Sequence, residues 1–460
     1  QPTATPAPTA TPVATATDTP TPTASPTTTQ TPTATSTATR TATLTATLTP
    51  TPKPAVFEKV SCPFRLPVGV SEGKDVDCGY LVVPEDRSDP QSRSIRLAVA
   101  IFRNPGKTVK ADPIIYLSGG PGGSALEFIY LSYNNMVKPV LAANRDVIVY
   151  DQRGVGLSKP ALDCPAASQL DLELLDNEYN GRILTTKEQA DLMLEAMLAC
   201  QKDLSSMAKL SAYNSAANAA DLADLRKALG YRQVNLWGIS YGTRLALTTM
   251  RDAPDGIRSV VLDSVYPPDV DIYTEGPANL ARALDTLFKG CAADAACNAA
   301  YPNLRQVFFD TAAALSKDPV KLTAVNPLNN KSYPMVLDGD MLISLIFQML
   351  YQTDMLAELP QIIYQAKAGA YTALASMMGL LIAQESAMSP GMQYSVQCHE
   401  ERPFTSLAEY RAAVARYPEL ADYYDEASEL GFAICDGWQA GKAPAAENEP
   451  VTSDIPTLIM

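Results

Sequence analysis

Residues 234–247 read VNLWGISYGTRLAL, which is an apolar β-type run, a Gly-x-Ser-x-Gly turn and a helical run in direct succession. A strand-to-helix turn this tight needs small residues around its apex, here Gly238 and Gly242. It holds the central Ser240 in a strained conformation with its hydroxyl above the sheet, where the following helix N-terminus favours negative charge. The five-residue pattern alone is weak evidence, and the flanking strand and helix make it informative. The segment predicts Ser240 as a nucleophile.

Strands and helices alternate through the first half of the chain. The strand-like runs are 79–83, 95–102, 113–117, 146–150, 233–237 and 258–262, and the helical patterns are 187–203 and 215–229. Such alternation predicts an α/β fold with a mostly parallel sheet, helices on both faces and ligand sites at the carboxyl ends of the strands.

The pattern changes after residue 265. Amphipathic helices, for example 277–289, 338–351 and 407–417, then dominate, and the β signal nearly vanishes. We expect residues 55–265 to form the first part of the core and 266–450 to form a large helical cap. Residues 451–460 should form a strand that returns to the core, and the chain ends within it.

The N-terminal segment and the cysteines favour an exported protein. Residues 1–54 are almost wholly Thr, Pro and Ala, and this composition predicts a disordered stalk. The stalk could be a linker with no specific role, or a spacer between a surface anchor and the globular part. The eight cysteines include no CxxC pair, so disulfides fit better than a metal site. Sequence leaves their pairing open, but neighbour pairing would close short loops: 62 with 78, 164 with 200, 291 with 297, and 398 with 435.

Charge and hydropathy exclude several partners. The 50 acidic and 36 basic residues give a net charge of −14, which disfavours nucleic acid and anionic lipid surfaces. No run of about 18 apolar residues occurs, so no transmembrane segment is predicted. No metal or organic cofactor is implied, and the oligomeric state stays open.

A glycine-rich segment, Ser118–Gly123, follows directly on the strand-like run Ile114–Leu117. In a serine hydrolase a loop at this place brings a backbone N–H to the nucleophile and forms an oxyanion hole. We expect the two donors to be the N–H groups of Gly120 and Tyr241. The segment lacks the GK[ST] ending of a phosphate-binding loop.

Three motifs in order resemble one family. GGPG at 119–122, DQRGVGLS at 151–158 and GISYG at 238–242 are the marks of the prolyl-aminopeptidase and tripeptidyl-aminopeptidase family of α/β-hydrolases. The resemblance runs from about residue 60 to the end. Ser118 stands where prolyl aminopeptidases usually carry histidine, and this favours the tripeptidyl branch, as do the cysteines and the large cap. The resemblance implies release of short peptides from free N-termini.

The same resemblance places the catalytic acid and base beyond residue 460. In this fold the order is Ser, then Asp or Glu, then His. The one histidine, His399, lies in the cap, and Asp263 at a strand end is better explained as a turn residue. We therefore expect a truncated core and little turnover from these 460 residues.

Two cap carboxylates are candidates for substrate binding. An enzyme that trims N-termini must recognise an α-ammonium group, and Glu400 and Glu401 could do so, although they could also be an ordinary solvated pair. The predicted function is an exported serine aminopeptidase acting on peptides with a free N-terminus. An esterase of the same fold and a non-catalytic surface-binding protein are the alternatives.

Overall fold

The computed structural model describes residues 54–424 and 426–460. The expected stalk at 1–54 lies, except for residue 54, outside the described residues.

A mixed sheet forms the centre of the described part. The strands are β1 Val56–Val60, β2 Val76–Pro84, β3 Ser94–Phe102, β4 Ile114–Leu117, β5 Val147–Tyr150, β6 Glu178–Tyr179, β7 Arg182–Ile183, β8 Val234–Ile239, β9 Ile257–Asp263, β10 Val320–Val325, β11 Ser332–Leu337 and β12 Thr457–Ile459. The central sheet has the order β1-β2-β3-β5-β4-β8-β9-β12. The pairs from β5 to β12 are parallel, and those among β1, β2, β3 and β5 are antiparallel.

Helices cover both faces of this sheet and continue into a second layer. They are α1 Ala125–Ser132, α2 Val137–Leu141, α3 Pro165–Glu173, α4 Thr186–Met207, α5 Ser215–Ala228, α6 Tyr241–Asp252, α7 Ile272–Ala293, α8 Ala295–Ala300, α9 Leu304–Lys317, α10 Gly339–Met349, α11 Leu359–Lys367, α12 Thr372–Glu385, α13 Pro390–Glu400, α14 Leu407–Val414 and α15 Glu426–Gly437. Short 3₁₀ turns are Leu210–Ala212, Thr353–Met355, Arg402–Phe404, Pro418–Leu420 and Ala445–Asn448.

Strand β3 shows why the sheet is buried on two sides. Its alternate residues Leu97 and Val99 pack with α5 and α6, while Ala98 and Phe102 pack with α1 and α2 on the other face. Successive side chains of a strand point to opposite faces, so an almost continuous apolar run is what a doubly covered sheet requires. The α/β class with a mostly parallel sheet, predicted from the sequence, is confirmed.

The helical layer differs in two ways from the expectation for residues 266–450. It includes a hairpin, β10 and β11, whose inward residues such as Ala324 and Met335 join the cap core. It also draws on earlier residues, because Met197 of α4 packs with Val396 of α13 and Ile434 of α15. The alternation of apolar and polar residues in β10 was present in the sequence, but it lies among strong helical patterns and was overlooked. The packing of α4 on the cap is a long-range contact that local patterns do not predict.

The disulfides pair as neighbour pairing predicted. The bonds are Cys62–Cys78, Cys164–Cys200, Cys291–Cys297 and Cys398–Cys435. No free cysteine is left in the described residues, which carry all eight cysteines of the sequence. Cys398–Cys435 ties α13 to α15, and Cys164–Cys200 ties the start of α3 to α4.

The last described strand extends the sheet. Strand β12 pairs in parallel with β9, with Thr457 opposite Val260. Its Leu458 and Ile459 side chains are exposed. Residues 451–460 thus contribute a strand at the edge next to β9.

Candidate active site

The turn between β8 and α6 has the geometry of a nucleophile elbow. Ser240 has φ 54° and ψ −125°, a region that costs a non-glycine residue roughly 1–3 kcal/mol. Its N–H donates to the Asp263 carbonyl at 3.1 Å. A Cβ on Gly238 would lie 2.3 Å from Gly242 O, and one on Gly242 would lie 2.0 Å from Leu117 O. Both glycines are therefore required by backbone contacts.

The glycine-rich loop after β4 lies against this serine. A Cβ on Gly119 would be 3.4 Å from Ser240 Oγ, so the loop backbone is in close contact with the hydroxyl. Gly120 has φ 114° and lines the same cavity as Ser240 and Tyr241. The structure thus brings together the nucleophile candidate and the two residues whose N–H groups were expected to form the oxyanion hole.

The cavity above the serine has a volume of about 420 Å³. Its walls are largely apolar, and Glu401 is the ionisable carboxylate among its lining residues. The lining residues are Gly120, Pro121, Ile239, Ser240, Tyr241, Ser264, Val265, Tyr266, Ile272, Tyr351, Val396, Gln397 and Glu401. Mostly apolar walls with a few converging polar groups are typical of ligand sites.

The Asp151 carboxylate fixes the end of the glycine-rich loop. Asp151 is fully buried and accepts hydrogen bonds from Ser124 Oγ at 2.9 Å, Leu126 N–H at 3.1 Å and Leu157 N–H at 2.9 Å. Ser124 in turn caps α1 through the Glu127 N–H. Burial raises the pKa of Asp151 to about 6, against the effect of these donors. Its role here is to hold the loop and helix that follow β4.

The next two residues of the same segment extend this support. Gln152 Nε2 donates to Ser118 O at 3.0 Å, at the start of the glycine-rich loop. Arg153 and Asp221 are both fully buried and form a two-pronged ion pair, with N···O distances of 2.7 and 2.8 Å. Bidentate pairs of this kind fix direction as well as distance. In the sequence these residues were visible only as a family motif, and their partners lie 34 to 68 residues away.

Glu400 lies beneath the cavity wall. It is 2% exposed, and its carboxylate accepts from Ser215 N–H at 2.6 Å, Ser215 Oγ at 2.8 Å and Arg244 Nε at 3.1 Å. The Ser215 hydroxyl also lies 2.8 Å from the Tyr241 hydroxyl. Glu400 thus links α13 of the cap to α5 and to the helix that follows Ser240.

Glu401 faces the cavity. Its carboxylate lies 2.8 Å from Arg244 Nη1 and accepts a hydrogen bond from the Tyr266 hydroxyl. Burial raises the pKa of Glu401 to about 7, and the attraction of Arg244 only partly offsets that rise. Glu400 and Glu401 are therefore a buried pair that shares one arginine, and the alternative of a solvated pair does not apply.

The two remaining candidates make other contacts. His399 Nδ1 is 2.8 Å from Ala440 O, and His399 does not line the cavity. Asp263 contributes its backbone carbonyl to Ser240, and its carboxylate lies 3.3 Å from the Ser264 hydroxyl. No imidazole therefore lies beside Ser240, because His399 is the one histidine of the sequence.

The described residues contain no group of three or more His, Cys, Asp or Glu side chains that could hold a metal ion. In the same part of the chain no single helix is long and apolar enough to cross a membrane. One bent pair, Leu359–Lys367 with Thr372–Glu385, meets that length and composition test when its two helices are taken together.

Known proteins match this chain in sequence. A family profile described as alpha/beta hydrolase fold matches residues 112–313. Tripeptidyl aminopeptidase from Streptomyces lividans is 33% identical over 200 residues, which is 43% of this chain and 37% of that protein. Serine protease Hip1 from Mycobacterium tuberculosis is 28% identical over 235 residues, 49% of this chain and 42% of that protein. The chain thus matches less than half of the length of either relative.

A solved structure also matches. Proline iminopeptidase from Mycobacterium smegmatis is 16% identical, covers 83% of this chain and 80% of that one, and superposes with a TM-score of 0.31. The sequence matches confirm the resemblance that the GGPG, DQRGVGLS and GISYG motifs indicated. The family profile, the sheet and the elbow show that the chain has the α/β-hydrolase fold, and over part of its length it is similar to tripeptidyl aminopeptidases.

Proposed function

We propose that this protein is an exported serine hydrolase that releases short peptides from substrates with a free N-terminus, through an acyl-enzyme on Ser240. One observation carries the proposal. Ser240 stands at a strained elbow in close contact with the glycine-rich loop, in one cavity with Gly120 and a buried carboxylate, Glu401. This combination supports both the chemistry and the type of substrate.

In the proposed reaction Ser240 Oγ attacks the scissile carbonyl carbon and loses its proton to a general base. The carbonyl oxygen gains the negative charge and accepts hydrogen bonds from the N–H groups of Gly120 and Tyr241. The C–N bond then breaks, the amine leaves with a proton, and an ester to Ser240 remains for water to hydrolyse. Oxyanion donors of this kind are each worth roughly 10²–10³ in kcat.

The base is the part that the described residues do not supply. The one histidine of the sequence, His399, contacts Ala440 and lies outside the cavity lining. A serine hydroxyl without a base is a weak nucleophile at neutral pH. We therefore propose that the 460-residue chain by itself turns over slowly, and that an acid and a base outside these residues complete the site.

Recognition of the substrate amine is assigned to the cap carboxylates. Arg244 carries one positive charge and contacts both Glu400 and Glu401, so the three side chains sum to −1 when both carboxylates are ionised. A single ammonium group would neutralise that charge. Glu401 lines the cavity and would contact the amine, whereas Glu400 would act through Arg244 and Ser215. A buried ion pair of this kind discriminates strongly against a blocked amine.

Export is supported by the cysteines. The four disulfides account for all eight cysteines, and such pairing is usual in oxidising compartments and rare in the cytosol. The Thr/Pro-rich composition of residues 1–54 is typical of a spacer on a surface-attached protein. We propose an extracellular or cell-surface location.

A substrate panel tests the function. Full-length protein would be compared on peptide anilides with a free amine, the same anilides N-acetylated, and simple acyl esters, with Ser240→Ala as control. Turnover of the free-amine anilides with at least roughly tenfold preference over the acetylated ones supports the proposal. Turnover of esters alone would show an esterase. No turnover of any substrate by the full-length protein would favour a binding protein on this scaffold.

A further inference from the structure

Ser389 occupies the N-cap position of a helix, α13, where a serine side chain normally accepts a hydrogen bond from a backbone N–H of the first turn, but its side chain makes no such bond. Its hydroxyl instead donates to Asp163 Oδ1 at 2.6 Å and accepts the Gly156 N–H at 3.1 Å. Ser389 is 1% exposed. The hydroxyl therefore joins the cap to the segment that follows β5.

The backbone around Ser389 contacts the glycine-rich loop directly. The Ser389 N–H donates to Gly122 O at 2.9 Å, and the Ser124 N–H donates to Ala387 O at 2.9 Å. Between these bonds Gly123 and Met388 form an antiparallel bridge. The cap segment 387–389 thus runs beside the loop as a short added strand.

The fit between the two segments is close. A Cβ on Gly122 would lie 2.7 Å from Ser389 O, and one on Gly120 would lie 3.1 Å from Met388 Cε. The end of the Met388 side chain can give way, but the backbone contact at Gly122 cannot, so a shift of segment 387–389 is passed through Gly122 to the loop that contains Gly120. On its other side the loop is fixed by Asp151 through Ser124.

We propose that Ser389 is a positioning residue of the oxyanion hole: its hydroxyl holds segment 387–389 in place, and that segment sets the position of the Gly120 N–H over Ser240. This inference rests on the proposed function, because it assigns a role within the same site. The inference adds that the cap contributes to catalysis as well as to binding, which does not follow from the elbow and the glycine-rich loop alone.

The same segment leads to the substrate end of the cavity. Helix α13 begins directly after Ser389 and carries Val396 and Gln397, which line the cavity, and it is followed by Glu401. Since Ser389 holds the start of that helix, its loss acts on the oxyanion loop more than on the far end, where Arg244 and Tyr266 hold Glu401. The expected consequence is a change in kcat with little change in KM.

The test uses full-length protein and three variants. Ser389→Ala removes the hydroxyl, and Ser389→Thr keeps one. Ser386→Ala is the matched control, because the one hydrogen bond of the Ser386 hydroxyl within the described residues goes to Ala383 O in its own helix turn. Displacing a catalytic group by about 1 Å can cost on the order of 10²-fold in rate. We expect Ser389→Ala to lower kcat by roughly 10- to 100-fold with KM within about twofold. Ser389→Thr should recover most of the loss, and Ser386→Ala should match wild type.

The measurement is made on both a free-amine anilide and an acyl ester, with the thermal midpoint recorded for each variant. If wild type cleaves only the ester, the peptidase function fails, while the loss of kcat on the ester still supports the positioning role. A Ser389→Ala enzyme with wild-type kcat overturns the inference and leaves the function untouched. A rise in KM alone, or an equal loss in Ser389→Thr, also overturns it. If full-length wild type cleaves neither substrate, both proposals fail.

Discussion

Arg244 Nη1 lies 2.8 Å from the Glu401 carboxylate, and neither side chain is more than 6% exposed. The arginine belongs to α6, the helix that follows Ser240, and the glutamate belongs to the cap. Breaking a buried pair by removing one partner usually costs several kcal/mol, since the remaining charge is left without compensation. The pair therefore links the cap to α6, and its Glu401 side lines the cavity.

Substitutions of the two neighbouring glutamates are expected to differ in their effects on activity and on stability. Glu401→Gln should lower kcat/KM for free-amine peptides by roughly 10- to 100-fold and leave N-acetylated substrates unchanged. Glu400→Gln should lower kcat/KM for these peptides less, because Glu400 does not line the cavity, and should lower the free energy of unfolding by about 1–3 kcal/mol, because Arg244 and Ser215 lose a charged acceptor. Steady-state kinetics and urea unfolding of both variants check this.

The matched control for this pair is Glu358→Gln, an exposed glutamate at the start of α11. It should change neither quantity. Equal effects of Glu401→Gln on free-amine and acetylated substrates would contradict the assignment of Glu401 to the ammonium group.

A pH dependence of stability follows from the same carboxyl group. Burial raises the pKa of Glu401 to about 7 from an ordinary value of 4.5, so between these pH values the folded state binds more protons than the unfolded state. Stability therefore falls as pH rises from about 4.5 to 7, by up to about 3 kcal/mol for this group, and is level above that range.

Glu401→Gln removes that contribution. The free energy of unfolding of this variant relative to wild type should increase as pH rises from about 4.5 to 7, and should be constant above about 7.5. Urea unfolding of both proteins across this range provides the measurement. A difference that does not change with pH would show that Glu401 keeps an ordinary pKa in the folded protein.

The disulfides should contribute unequally to the free energy of unfolding. Cys398–Cys435 closes a loop with a sequence separation of 37, and Cys291–Cys297 one of 6. The loop-entropy relation gives about 4 kcal/mol for the longer loop and about 2 kcal/mol for the shorter. Replacing each pair by alanines should lower the free energy of unfolding in that order. The reverse order, measured by urea unfolding, would show that strain or residual structure outweighs loop closure.

The elements that sequence predicted are those defined by local patterns. Ser240, its flanking glycines and the strands on either side follow from periodicity and turn chemistry within a few residues. The structure also confirms the predicted pairing of neighbouring cysteines. These features need no knowledge of which distant segments meet.

The elements that sequence missed depend on contacts between distant residues. Ser389 and Gly156 are 233 positions apart, and Arg244 and Glu400 are 156 apart. No periodicity connects these residues, so the contact of segment 387–389 with the glycine-rich loop and the burial of Glu400 become visible only in the folded structure. The β10–β11 hairpin was missed for a different reason. Its first strand alternates as a strand should, with Val320, Leu322 and Ala324 separated by polar residues, but the two six-residue strands lie among strong helical patterns.

The most direct test of the account is to identify the residue that becomes acylated. Full-length protein would be treated with a fluorophosphonate, digested and analysed by mass spectrometry, with Ser240→Ala treated in parallel. The account predicts a single adduct on the peptide that contains Ser240, and neither adduct nor turnover in the variant. An adduct on another residue, or peptide hydrolysis that persists in Ser240→Ala, would contradict it.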